Sequence, residues 1–167
     1  MRQNGVGDEG CVALASAMQQ HKAWPRLTHL VLCGNGIGDE GCAALGSALQ
    51  SGPCPRLVHL QASDNHITAE GCASLARGLC DGCPELMTLD LSSNHTTALA
   101  DELGEQAHLC DLNVGWNRLT RIQPELYDGI LRANNVYATG NRLEEPPQAV
   151  VEENLEVLKK YVEEELM

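Results

Sequence analysis

Cysteine and histidine are the side chains in this sequence best suited to redox, nucleophilic or metal chemistry, and there are eight of the first and six of the second. Cys80 and Cys83, in "CDGC", have the spacing of a zinc ligand pair or a dithiol redox couple. A structural zinc requires a second pair, and nearby Cys54, His59 and Cys110 belong to no motif that would supply it. A redox dithiol normally precedes a helix, whereas this pair ends one. The histidines recur in register with a set of asparagines: His29 and His59 stand six residues before two of them, and His66 and His95 directly follow two. Neighbouring imidazoles are the raw material of a metal site or a proton switch, but no carboxylate recurs beside either pair, so both read as solvated surface histidines. "NHT" at Asn94–Thr96 matches a glycosylation acceptor, yet its Asn is one of the recurring set and is expected to be engaged in a turn. HExxH, GxSxG and Walker patterns are missing. The residue types therefore assign no catalytic centre, no metal and no cofactor.

The cysteines lead to the elements that position them. "EGC" occurs at Cys11, Cys42 and Cys72, and "LTHLVLCGNGIGDEGCAALGSALQ" from Leu27 is nearly rewritten as "LVHLQASDNHITAEGCASLARGLC" from Leu57. The recurring asparagines are Asn35, Asn65, Asn94, Asn117 and Asn141, with Asn4 as a remnant, at intervals of 31, 30, 29, 23 and 24 residues. Apolar residues stand eight, five and three positions before each anchor, as Leu27, Leu30 and Leu32 do, and two positions after it, where Thr96 breaks the rule. The alternation of Leu30 and Leu32 predicts a short half-buried strand, and the spacing of Cys42, Leu45 and Leu49 predicts a helix. Each unit has an apolar face it cannot cover alone, so units must stack, with a parallel sheet on one side and helices on the other. Asp8 and Asp39 are placed to cap the first two helices and Thr68 the third. Cys11, Cys42 and Cys72 then read as small buried hydrophobes in a column. Each anchor amide pairs turn backbone that would otherwise be buried unsatisfied, and Asn65→Ala is expected to cost about 1 to 3 kcal/mol.

The later intervals are shorter. "TTALADELGEQAH" has room for about two helical turns, while "TRIQPELYDG" predicts a 3₁₀ or extended segment, with Pro124 opposing a longer helix. After Pro146 and Pro147 the repeat stops, and Val150, Leu155, Leu158 and Val162 form the stripe of one covering helix, with the acidic run from Glu152 to Glu165 on its solvated face.

The pattern resembles the leucine-rich repeat family over nearly the whole length. The first three units look like the long ribonuclease-inhibitor type and the last two like the short typical type, with the change near residue 95. The resemblance implies an α/β solenoid with a parallel concave sheet, convex helices and a C-terminal capping helix. Residues 1–145 would hold about five units plus an N-terminal partial unit, and 146–167 the cap. The "PP" and the helix after it are also similar to the end of the leucine-rich region of Roco-type GTPases. Together with the ribonuclease-inhibitor-like units, this implies an alternative role as the regulatory part of a GTPase system, Ran-activator-like or Roco-like, although no arginine stands out to stabilise a transition state.

Composition narrows the partners. With no Phe and 3% aromatics, small aliphatic side chains must fill a thin layered core. A net charge of -12 opposes binding to nucleic acid or an anionic membrane. No apolar run approaches the roughly 20 residues of a membrane span, and the expected compartment is cytoplasmic or nuclear. The opening "NGVGDEGCVALASAM" is a helix without its strand, which points to a longer array, unless the helix itself shields the Leu27 strand.

Strand positions pointing away from the core are free to vary, and here they form a broad, shallow, polar surface without a pocket. Such a surface suits a protein or peptide partner rather than a small-molecule substrate. The candidate binding residues are Gln61, Asp64, Asp90, Asn113, Trp116, Arg118, Tyr137 and Arg142. Trp116 takes a place held elsewhere by Gly34, Asp64, Ser93 and Gly140, so the repeat itself does not call for an indole. Tyr137 is on the next strand, and Arg118 and Arg142 follow the two neighbouring anchors; Trp, Tyr and Arg dominate the energetic centres of interfaces. The competing expectation is that Trp116 folds down over the short repeats or the cap.

Overall fold

The alternation in each "LxL" leaves one inward side chain per strand, and in the structure every strand is three residues long. The computed structural model describes residues 4–21 and 24–166. Strands β1 (His29–Val31), β2 (His59–Gln61), β3 (Thr88–Asp90), β4 (Asp111–Asn113) and β5 (Asn135–Tyr137) form a single parallel sheet in sequence order. The register aligns Leu30, Leu60, Leu89, Leu112 and Val136 in one buried row. On the opposite face lie the rows His29, His59, Thr88, Asp111, Asn135 and Val31, Gln61, Asp90, Asn113, Tyr137.

Helices α1 (Gly7–His21), α2 (Asp39–Gln50) and α3 (Ala69–Gly82) follow the first turns and bury one stripe each: Cys11, Ala15 and Met18; Cys42, Leu45 and Leu49; Cys72, Leu75 and Leu79. The three thiols form the expected column of small buried side chains. Helices α2 and α3 meet backbone to backbone. A Cβ at Gly46 would fall on the Ser74 carbonyl, and one at Gly78 on the Gly46 carbonyl, so glycine sets their closeness.

Under the turns the anchor amides form a ladder. Asn65 Nδ2 donates to the carbonyls of Leu32, Ala62 and Ser63, while its Oδ1 accepts from the N–H groups of Asn35 and Ile37, both at 3.0 Å. Asn94, Asn117 and Asn141 repeat the rung, their Oδ1 atoms accepting from the N–H groups of Ile67, Thr96 and Leu119. Thr96 is buried despite its hydroxyl, which donates to the Ile67 carbonyl.

Capping differs from expectation. Asp39 is the first residue of α2, not its cap, and its carboxylate reaches the next repeat, accepting from Thr68 N–H (2.9 Å), Thr68 Oγ1 (2.7 Å) and Gly71 N–H (3.0 Å). Asp8 likewise accepts from Gly38 and Gly41 at the start of α2. Each acidic side chain thus caps its neighbour's helix, where N–H groups have no intrahelical acceptor and a negative charge meets the positive end of the dipole. Gly41 and Gly71 are small because a Cβ there would meet these carboxylates. Thr68 caps α3 as expected, accepting from Glu70 N–H.

Beyond residue 95 the helices shrink. Helix α4 (Glu102–Glu105) is one turn rather than two. Pro124 starts a 3₁₀ turn (Pro124–Leu126) that continues into α5 (Tyr127–Arg132), because a proline at the first helical position loses no hydrogen bond. The terminal segment is two helices, α6 (Gln148–Glu153) and α7 (Leu155–Tyr161), with a π-helical turn (Val162–Leu166) after them. The break falls at Asn154, whose extended backbone starts α7 and whose side chain accepts from Val157 N–H. It shifts the buried stripe to Val151, Leu158 and Val162, leaving Val150 and Leu155 half-buried.

Candidate functional site

Five equivalent residues close the strand turns, and all five have positive φ: Gly34 at 65°, Asp64 at 57°, Ser93 at 55°, Trp116 at 56° and Gly140 at 76°. Glycine takes this left-handed conformation freely and Asp with little penalty, whereas a bulky residue there gives up about 1 kcal/mol or more. Trp116 is therefore doubly out of place, in a strained backbone and with a large apolar side chain 67% exposed. Its ring lies across the next turn: a Cβ on Gly140 would come 2.7 Å from both Cδ2 and Cε3. The indole is thus supported from one side by the following repeat and open on the other. The competing expectation holds to that extent, since the ring lies over the next short repeat, but it stays largely exposed.

The pairing register places Tyr137, 55% exposed, beside Asn113, and Asn113 beside Asp90. Arg118 and Arg142, both exposed, follow the anchors of the same two repeats. Five candidates, Asn113, Trp116, Arg118, Tyr137 and Arg142, therefore come together on two adjacent repeats. Asp90 adjoins them, but its Oδ1 accepts from Ser92 N–H (3.0 Å) and Ser92 Oγ (2.7 Å), so its charge is engaged locally. Asn113 Oδ1 makes the equivalent bond to Gly115 N–H, which leaves its amide nitrogen on the face. Gln61 and Asp64 lie two repeats from Trp116, about 10 Å away at the usual strand spacing, and do not join the cluster.

The groups with chemical potential are elsewhere. His29 and His59 lie with ring centroids 4.3 Å apart and planes tilted by 31°, and His66 and His95 stack at 5.6 Å. Among the described residues no three His, Cys, Asp or Glu side chains converge as a metal site requires. Cys80 donates its thiol to the Glu102 carbonyl, and Cys83 is fully buried. Burial pushes Cys80 up to about 11, with the nearby acidic side chains adding to it against a bond from Gln106. Burial likewise pushes Cys83 up to about 12. Both therefore hold their protons near neutral pH, unlike the activated thiolate of a redox dithiol.

The sequence places His66 with His95 and Arg118 with Arg142 as two separate pairs behind their anchors, and the structure joins them. The residues after the anchors form a single file, because their N–H groups bond in turn to the preceding repeat: His66 to Ile37 O, His95 to Ile67 O, Arg118 to Thr96 O and Arg142 to Leu119 O, at 2.8 to 3.0 Å. Aligning the anchors is enough to expose it, since all four follow an Asn directly.

Comparison with known proteins agrees with the repeat. Residues 1–15, 26–46 and 54–76 match the Leucine Rich repeat family model. Among curated proteins none matches. Among solved structures, the plant peptide hormone receptor RGFR1 in complex with RGF2 is similar at 20% identity and a TM-score of 0.42, over 71% of this chain and 21% of that one. The chain thus spans about a fifth of that receptor chain's length. The five-rung asparagine ladder, the parallel strands in unbroken register and the family match agree on a solenoid of leucine-rich repeats, with the family match confined to the long N-terminal repeats.

Proposed function

We propose that this chain is a non-catalytic protein-interaction module that docks a protein or peptide partner on the open face of its sheet, centred on Trp116, Tyr137, Arg118 and Arg142. The observation that carries the reading is Trp116. An indole kept 67% exposed in a left-handed turn costs stability and adds little core, so its retention is better explained by binding than by folding. Its seat on Gly140 holds the ring in place before a partner arrives, which lowers the entropy lost on binding. Tyr137 on the adjacent strand and the two arginines supply the other side-chain types that anchor interfaces. Among the described residues no metal-ligating cluster stands beside this patch, and at its edge Tyr137 and Thr139 line a groove with Val151–Leu155 of the terminal helices. The GTPase-regulator alternative has no observation of its own to carry it.

The test is affinity for a partner recovered by pull-down. Trp116→Ala and Arg118→Glu should each weaken binding by at least about 1 kcal/mol, roughly fivefold, with the melting temperature almost unchanged. Arg77→Glu, on the exposed side of α3, is the control and should bind as the parent does. Unchanged affinity for Trp116→Ala, or loss of the fold, contradicts the reading.

A further inference from the structure

The file of residues behind the anchors says what kind of partner fits. His66, His95, Arg118 and Arg142 occupy it in four successive repeats, and backbone bonds between repeats hold them in line. Equivalent positions in stacked parallel strands lie about 5 Å apart, so four nitrogen-bearing side chains run along one edge of the sheet face. The imidazoles of His66 and His95 stack at 5.6 Å, so the file is continuous at that end. Three of the four are exposed and His95 is half-exposed.

This concentration runs against the composition. The chain has 23 acidic residues and 11 basic ones, yet the file contains no carboxylate. Among the described residues the ion pair is Lys160–Glu164, on the terminal helix, and neither Arg118 nor Arg142 has a carboxylate within salt-bridge distance. Of the acidic groups around them, Asp90 is engaged by Ser92 and Asp111 by the Asn135 amide, while Glu144 and Glu145 follow Arg142 in the chain and Glu152 and Glu153 line a groove with Tyr137. Asp64 flanks the file at the His66 end, two repeats from Arg118. Among the described residues none of these carboxylates forms an ion pair with either guanidinium.

We propose that this ridge receives a carboxylate-rich linear segment of a protein partner, lying across the strands. Its acidic side chains pair with Arg118 and Arg142, His66 and His95 add hydrogen bonds, and an apolar residue of the segment rests on Trp116. This rests on the interaction-module reading and adds the partner's chemistry. A guanidinium offers a carboxylate two parallel N–H donors, which favours this pairing over a diffuse attraction. The overall negative charge does not forbid it, because charges farther away than the Debye length of about 8 Å are largely screened at physiological salt. A polyphosphate chain would carry its charge past the ridge and into that field at more points.

The experiment is selection of random linear peptides displayed on phage against the wild-type chain. The enriched peptides are then measured on Trp116→Ala and on the double variant Arg118→Glu/Arg142→Glu. The expected result is enrichment of Asp and Glu beside an apolar residue, with binding weakened at least about tenfold by the double reversal and weakened again by added salt. If the double reversal loses its circular dichroism spectrum, Arg118→Gln/Arg142→Gln replaces it, and a loss of at least about threefold is expected. Peptides without acidic residues that bind the double variant as well as wild type, but still fail on Trp116→Ala, overturn the ridge and leave the module reading standing. Peptides indifferent to every variant, or no enrichment at all, overturn both.

Discussion

Replacing Asn65 by Ala removes a rung of the ladder that makes five hydrogen bonds, and the structure says which part of the loss matters. The three carbonyls that receive its Nδ2 keep other donors: Leu32 O has Asn35 Nδ2, Ala62 O has Asn94 Nδ2, and Ser63 O has Gly34 N–H. The acceptor side carries the larger loss, because Asn65 Oδ1 serves two buried N–H groups, those of Asn35 and Ile37. A buried donor left without its acceptor costs about 1 to 3 kcal/mol, so the two together give about 2 to 6 kcal/mol, above the expectation from the sequence. Asn141→Ala is the internal comparison. Its Oδ1 serves Leu119 N–H, and Val114 O and Ala138 O keep bonds from Asn117 and Gln148, so one donor is lost and about 1 to 3 kcal/mol is expected. Asn65→Asp keeps the acceptor but turns its second oxygen toward three carbonyls, and should be at least as damaging as Ala near neutral pH. Urea unfolding followed by circular dichroism measures all three, with an unchanged slope confirming that stability alone has moved. A loss under about 1 kcal/mol for Asn65→Ala, or equal losses for Asn65→Ala and Asn141→Ala, would refute the accounting.

Three further outcomes follow from the same geometry. Asp39→Ala should lower stability by about 1 to 2 kcal/mol, with Asn recovering part of it, because the carboxylate caps the helix of the next repeat; an effect confined to α2 in hydrogen exchange would contradict this. Gly78→Ala should destabilise by about 2 kcal/mol in urea unfolding despite alanine's better helix propensity, since its Cβ meets the Gly46 backbone and no rotamer relieves that; a stabilised variant would refute the contact. In native buffer a thiol reagent should label half-exposed Cys33 and Cys110 and spare Cys11, Cys42, Cys54, Cys72 and Cys83 until unfolding. Burial pushes Cys11, Cys54 and Cys72 from 9.0 up to about 11, so the native state holds protons that the unfolded chain releases. Their stabilising contribution is complete below about 9 and is lost as pH rises from about 9 to 11, and Cys72→Ala should lessen that decline; a flat profile for the parent would contradict the burial.

The repeat was legible because its information is local. Leu30, Leu32 and Asn35 stand at fixed spacings, and those spacings alone dictate a buried strand residue, a turn and an amide beneath it. The neighbouring of His29 with His59 and of His66 with His95 followed from register alone. What the sequence hid depends on distances between repeats. Asp39 looks like the cap of its own helix, and only the offset between α2 and α3 brings its carboxylate to Thr68 and Gly71. Asp90 looked like a free contact, although the Ser two residues on could have announced a local turn. The left-handed turn was readable too, since Gly34, Asp64 and Gly140 are types that tolerate it, and recognising it would have marked Trp116 as strained. The two-helix ending was not readable from the apolar stripe, because the break at Asn154 resets the helical phase between Val151 and Leu158.

Hydrogen exchange of the chain alone and with its partner bound tests the central claim most directly, because it locates the contact without altering a side chain. Occupation of the proposed surface should slow exchange in β4, in β5 and in the turns at 115–118 and 139–142, while the amides of α2 and α3 keep the rates of the free chain. Slowing confined to α2 and α3, with those turns exchanging as before, would place the partner on the helical side and contradict the account.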